Sequence, residues 1–139
     1  MNQRDSGPVT AELSGRVLSP GSGPVAAGIH LRYDSVDPYA VVMRVRLPGD
    51  QPVPWTFGRE LLDFGLSGTS GAGDVTVAPC PQRPSALLHV TLRDDVSDAV
   101  LEMGMAPIKE FLRLTDELVP PESEDSFLLV EDDVSAIAG

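Results

Sequence analysis

Two stretches of alternating apolar and polar residues, each closed by a run with helical spacing, predict an α+β domain of consecutive antiparallel strands with packed helices. The first stretch runs from Val9 to Phe57 and ends in a helical segment around Leu61 and Leu62. The second runs from Val75 to Met103 and ends in a stripe from Ile108 to Val119. A chain of 139 residues with 42% apolar content can bury one sizeable core and is too apolar to be disordered throughout. Residues 1–120 are expected to form a single domain core, with 121–139 as an acidic C-terminal tail.

In Val9, Ala11, Leu13, Gly15 and Val17 the apolar period is two, which reads as a half-buried strand. After the Pro- and Gly-rich turn at 19–24, Val25, Ala27, Ile29, Leu31 and Tyr33 repeat the pattern, with His30 alone on the outward face. The corner Asp34-Ser35-Val36-Asp37-Pro38 follows. Proline fixes its own φ and pushes Asp37 out of the helical region, and Asp34, Ser35 and Asp37 can bond nearby amides. Tyr39, Val41, Met43, Val45 and Leu47 predict a third strand whose inward face buries Tyr39 beside Tyr33. Its other face begins with the apolar pair Ala40 and Val42, candidates for a subunit interface. Val53, Trp55 and Phe57 predict a short fourth strand that lies at an edge or ends early, because Pro52 and Pro54 lack backbone donors.

At Arg59 the period changes to a short amphipathic helix ended by Gly65. The glycines of 68–73 are not a phosphate cradle, because no Gly-Lys-Ser/Thr and no helix follows; Asp74 to Val77 reads as a strand. Pro79 to Pro84 forms a rigid loop around Cys80, and Ala86, Leu88, Val90 and Leu92 form the next strand. Ala99 to Met103 reads as a strand or a helix start; Gly104 and Pro107 favour the strand, with Pro107 opening the second helix. Pro120-Pro121 stops that helix, Glu122 to Ser126 reads as an acidic linker, and Glu131 to Ala138 as a short acidic helix.

The net charge of −11 comes entirely from the C-terminal third: residues 1–93 hold 8 acidic and 8 basic residues, and residues 94–139 hold 13 acidic and 2 basic ones. Such a balance repels a phosphate backbone and either suits a protein partner or serves only to keep a small protein soluble. A lone cysteine makes no internal disulfide, and no apolar run reaches the length of a membrane span. The N-terminal residues lead into no hydrophobic segment, so the cytoplasm is the expected location. His30, His89 and Cys80 show no metal-ligand spacing, and no hydrolase, metalloprotease or nucleotide-binding motif is present. No enzyme, cofactor or metal is expected.

Several motifs, in order, resemble the SsgA-like proteins, sporulation and cell-division regulators of filamentous actinomycetes. They are Leu31-Arg32-Tyr33-Asp34, Asp37-Pro38-Tyr39-Ala40-Val41, Trp55-x-Phe57-x-Arg59-x-Leu61-Leu62, Gly65-Leu66, Gly73-Asp74-Val75-x-Val77-x-Pro79 and Phe111-Leu112-x-x-Thr115. The family-motif residues Tyr33, Asp34, Asp37, Pro38, Tyr39, Trp55, Phe57, Arg59, Gly73 and Asp74 are expected to be mostly structural. Gly58 and Glu60 depart from the Ala and Asp of the family's Phe-Ala-Arg-Asp stretch; Gly58 loosens the helix start and Glu60 keeps the charge.

The resemblance implies a Whirly-like fold of two antiparallel sheets with helices, assembled as a homotrimer. It implies a non-catalytic protein at septum sites that recruits the tubulin-like division protein FtsZ, another division protein or another SsgA-like protein. Paralogues divide septum placement, wall remodelling and spore maturation, and these motifs do not separate them. The alternative, a single-stranded nucleic-acid module, rests on fold analogy and needs a basic groove with exposed aromatics.

Overall fold

A computed structural model describes residues 7–19, 21, 23–71, 73–95 and 98–127. The elements are β1 (Val9–Leu18), β2 (Val25–Tyr33), β3 (Ala40–Arg46), β4 (Val53–Gly58), α1 (Arg59–Gly65), β5 (Val75–Pro79), β6 (Leu87–Arg93), β7 (Asp98–Gly104) and α2 (Met105–Leu118). The expected order of four strands and a helix, then three strands and a helix, is what forms. Ala99 to Met103 lies in a strand. The segment Glu131 to Ala138 lies outside the described residues.

The strands make one antiparallel seven-stranded sheet in the order β4-β3-β2-β1-β7-β6-β5, not two sheets. The cause is β1. Its 10 residues pair with β2 along most of their length, and its C-terminal part, Gly15 to Leu18, also pairs with β7 on the other side. A Cβ at Gly15 would lie 2.6 Å from the Glu102 carbonyl oxygen and 2.7 Å from Ile29 Cδ1, so the junction requires a residue without a side chain. The two edges are protected differently. Strand β4 carries Pro54, while the loop before β5 folds back to make a bridge between Ser70 and Val77.

One face of the sheet is the core. Ile29, Leu31, Tyr33, Val41, Met43, Phe57, Val77, Leu88, Val90, Leu101 and Met103 alternate inward and meet Leu62 of α1 and Ile108, Phe111 and Leu112 of α2. Helix α2 lies along β1 and α1 lies against β5. The opposite face carries Arg16, His30, Arg32, Arg44 and Arg46, which are partly or fully exposed.

Three local expectations change. Tyr39 is 39% exposed whereas Tyr33 is 1% exposed. The third strand starts one residue later, at Ala40, so Tyr39 belongs to the corner and escapes the alternation. Gly65 does not end α1 as a left-handed cap, since positive φ occurs at Gly21, Gly49, Gly71 and Gly73 among the glycines and not there. It is a glycine because a Cβ would sit 2.2 Å from Val77 Cγ1, so α1 packs onto β5 through its own backbone. Pro107 is the third residue of α2, still within the first turn, where a missing N–H costs no hydrogen bond.

Candidate functional site

Three of the family-motif residues, Tyr33, Pro38 and Tyr39, gather around a fourth, a buried arginine. Arg59 opens α1 and is 4% exposed. Its backbone N–H donates to the Tyr39 carbonyl at 2.6 Å. Its Nη1 donates to the carbonyls of Val119 at 2.8 Å and Thr115 at 3.1 Å, and reaches Asp116 Oδ1 at 3.4 Å. Its Nη2 donates to Glu124 Oε2. The guanidinium carbon lies 4.9 Å from the centre of the Tyr33 ring, and the Tyr33 hydroxyl donates to the Pro38 carbonyl at 2.7 Å.

This arrangement solves a problem at the end of α2. The last carbonyls of a helix lack partners within it and carry a partial negative charge. The last turn of α2 has no basic residue of its own. Arg59 supplies the donors and the positive charge from α1, and its flat fork suits several acceptors at once. Glu122 to Ser126 is therefore not a free linker: a helical turn starts at Glu124, whose carboxylate is 6% exposed and paired with Arg59.

The electrostatics follow from this packing. Burial raises the Tyr33 hydroxyl from 10 to about 12, against the pull of the Arg59 charge. For Glu124, burial also favours the neutral acid, but the hydrogen bonds from Arg59 and from backbone amides outweigh it and hold the carboxyl below its ordinary range. Asp116 shifts the other way: burial, with Asp63 and Glu124 nearby, lifts it despite Arg59. A neutral Tyr33 is favoured in the fold, so its contribution is full below pH 10 and is lost as pH rises toward 12. In a Tyr39→Phe variant, phenolate absorbance is expected to titrate near 12 while the protein is folded. A folded-state midpoint at 10 would contradict the buried-ring geometry.

The other motif residues hold turns and core. Asp34 Oδ1 accepts from Val36 N–H at 3.1 Å, and the Asp34 carbonyl accepts from Asp37 N–H at 3.1 Å. Phe57 is buried and Trp55 is partly buried against the same core. Gly73 takes φ +87° and its carbonyl accepts from Arg93 Nη1, while the Asp74 carbonyl accepts from Arg93 N–H; this pair sits apart from Arg59. Ala40 and Val42 are half-buried on the outer sheet face.

Beside Arg59 opens a cleft of about 190 Å³ lined by Glu60, Asp63, Phe64, Asp116 and Glu122 among others. Phe64 is 60% exposed. Sequence reasoning did not find Glu124, Asp116 or Phe64 as one surface, since they come from α1, α2 and the segment after it. It also did not find that Cys80, His89 and Glu102 meet on the outer face. There, burial tends to raise the Glu102 carboxyl, but hydrogen bonds from Arg16 and His89 are larger and hold it below its ordinary range. His30, expected without a partner, has Nδ1 3.3 Å from Glu12 Oε2.

Among the described residues, one sheet with two helices, a buried arginine clamp and an acidic cleft define an α+β domain. The comparisons specify it further. The family model described as Streptomyces sporulation and cell division protein, SsgA, matches residues 28–124. The chain belongs to this family. It is 36% identical over 120 residues to the sporulation-specific cell division protein SsgB of Frankia casuarinae, covering 86% of this chain and 84% of that one. The crystal structure of an SsgA-like sporulation-specific cell division protein from Thermobifida fusca superimposes with a TM-score of 0.86 at 29% identity, covering 95% of this chain and 96% of that one. A structure described with mutations in SsgB that correlate to longitudinal cell division during sporulation of Streptomyces coelicolor gives a TM-score of 0.80 at 32% identity, covering 87% of this chain and 95% of that one. The similarity therefore falls on SsgB-type members, and the protein's role lies in cell division and sporulation.

Proposed function

We propose that this protein is a non-enzymatic regulator that helps position the sporulation septum by recruiting FtsZ or another divisome protein. The observation that carries the reading is Phe64, an aromatic ring 60% exposed at the rim of a carboxylate-lined cleft. An exposed aromatic ring beside charged groups fits a protein-docking surface, because aromatic side chains are enriched at such surfaces and supply much of their binding energy. The reading takes the protein as cytoplasmic and acting at septum sites; no helix among the described residues is long and apolar enough to cross a membrane. It includes the Whirly-like trimer, with Ala40 and Val42 facing another subunit.

The nucleic-acid reading has weaker support. The outer sheet face carries Arg32, Arg44 and Arg46, but Tyr33, Trp55 and Phe57 lie on the inner side, packed in or against the core, where bases cannot stack on them.

Co-pelleting with polymerised FtsZ from the same organism, at moderate salt, tests the proposal. Saturable pelleting is expected, weakened about tenfold or more by Phe64→Ser, the scale of losing a central contact. No pelleting by the folded protein would sink FtsZ as the partner and direct the search to other division proteins. Pelleting unchanged by Phe64→Ser would remove this cleft from the interface.

A further inference from the structure

Strands β1, β7 and β6 lie side by side, and their cross-strand register sets Arg16 opposite Glu102 and Glu102 opposite His89 on the outer face of the sheet. Cys80 follows β5, pinned by its N–H to the Leu87 carbonyl at 2.9 Å. His89 Nε2 is 2.9 Å from Glu102 Oε2, and Cys80 Sγ is 4.0 Å from the same oxygen. All three donor atoms lie within 4.8 Å of one another. Cys80 is 3% exposed and Glu102 is 8% exposed.

We propose that Cys80, His89 and Glu102 form a binding site for a single zinc-class transition-metal ion. Tetrahedral zinc with nitrogen, oxygen and sulfur ligands places its donor atoms about 3.3–3.8 Å apart. The observed separations bracket that range, so small side-chain rotations bring the three onto one ion. Gln82 Oε1, 3.5 Å from the sulfur, stands ready as a fourth ligand, or water takes that position. The donor set mixes a soft thiolate with a borderline imidazole and a hard carboxylate, which selects zinc-like ions over calcium or magnesium.

Two further features fit a ligand role. Arg16 holds the other carboxylate oxygen, Oε1, at 2.5 Å, which leaves Oε2 directed toward the sulfur and the imidazole. Such outer hydrogen bonds orient metal-binding carboxylates. The buried thiol acts as the donor toward Gln82 Oε1 at 3.5 Å and Glu102 Oε2 at 4.0 Å, which leaves the sulfur electron pairs free. Binding would release the thiol proton to solvent and leave the sulfur as thiolate. The His89 side chain is 19% exposed and gives the ion a path in. The consequence is a clamp that fixes the Pro-rich loop at 79–84 to the sheet, on the face opposite the Arg59 cleft.

Titration of the metal-free protein with Co²⁺ tests this. One equivalent is expected to produce visible d–d bands of a tetrahedral ion together with a thiolate-to-cobalt charge-transfer band, and Zn²⁺ is expected to bleach both. Cys80→Ala should abolish the charge-transfer band, and His89→Ala should weaken binding at least about tenfold, the scale for losing a ligand or its support. Both variants are checked for folding by circular dichroism. Cys80→Ser serves as the replacement if the alanine does not fold. No band at saturating Co²⁺, or a band unchanged in folded Cys80 or His89 variants, overturns the site.

Discussion

Arg59→Ala is expected to lower the unfolding free energy by about 3–5 kcal/mol, the range for removing one partner of a buried ion pair. The substitution leaves the Glu124 carboxylate in a low-dielectric pocket with its charged partner gone. It also strips the Arg59 donor from the Val119 carbonyl at the end of α2, while the Thr115 carbonyl loses one donor and keeps the Val119 N–H. Unpaired buried acceptors each cost about 1–3 kcal/mol on their own, so the loss is not that of one contact. Arg59→Lys should fall between the wild type and the alanine, because an ammonium keeps the charge but cannot fork toward α2 and Glu124 together. In Glu124→Gln, the further loss from Arg59→Ala should shrink by about 1–3 kcal/mol, as expected for directly coupled residues. Urea unfolding at neutral pH measures all five proteins, the wild type, the three single variants and the double variant. A loss below about 1 kcal/mol for Arg59→Ala would mean that the clamp is ornamental in energy terms.

Gly65→Ala is expected to destabilise by about 1–3 kcal/mol, the cost of overpacking a well-filled interior. The sign carries the information. Helical propensity by itself predicts the opposite, a gain of about 1 kcal/mol for replacing a helical glycine by alanine. The contact decides it: the new methyl would stand 2.2 Å from Val77 Cγ1 and 3.2 Å from the Val77 carbonyl carbon. Removing the methyls of Val77 relieves the 2.2 Å clash and leaves the 2.6 Å approach to the Val77 Cβ. The double variant Gly65→Ala with Val77→Ala should therefore lose less than the sum of the single losses. Strict additivity, or a stabilised Gly65→Ala, would show that α1 can lift off β5 without penalty.

Much of this fold was legible because its strands alternate cleanly and prolines and glycines punctuate them. Val25 to Tyr33 could be read as a half-buried strand from period alone, and Pro54 correctly placed β4 at an edge. What was not legible depended on distant pairing. Nothing local in Gly15 announces that β1 will accept β7 and fuse the strands into one sheet. Nor does Gly65 reveal whether a glycine is needed for its backbone angles or for a neighbour's methyl groups; only the approach of Val77 settles it. The same limit applies to the site. Arg59 stood out within a motif, but its acceptors lie 56–65 positions away, and Glu124 looked like one more acid in an acidic run. Cys80 and His89 appeared unrelated because metal-ligand spacing is readable only when ligands share a local element, whereas adjacent strands bring them together here.

The double pairing of β1 has a consequence for how the chain comes into being. Strands β1 to β4 form a meander of neighbours, each able to zip onto the last while synthesis continues. The contact between Arg16 and Glu102 spans 86 positions, so the β1–β7 seam closes after most of the polypeptide has left the ribosome. Long-range closures of this kind slow folding. Until then the Gly15–Leu18 end of β1 is an open template for another nascent chain, and later it is paired on both sides inside the sheet. Birth order therefore turns the centre of the finished molecule into the last edge to be sealed.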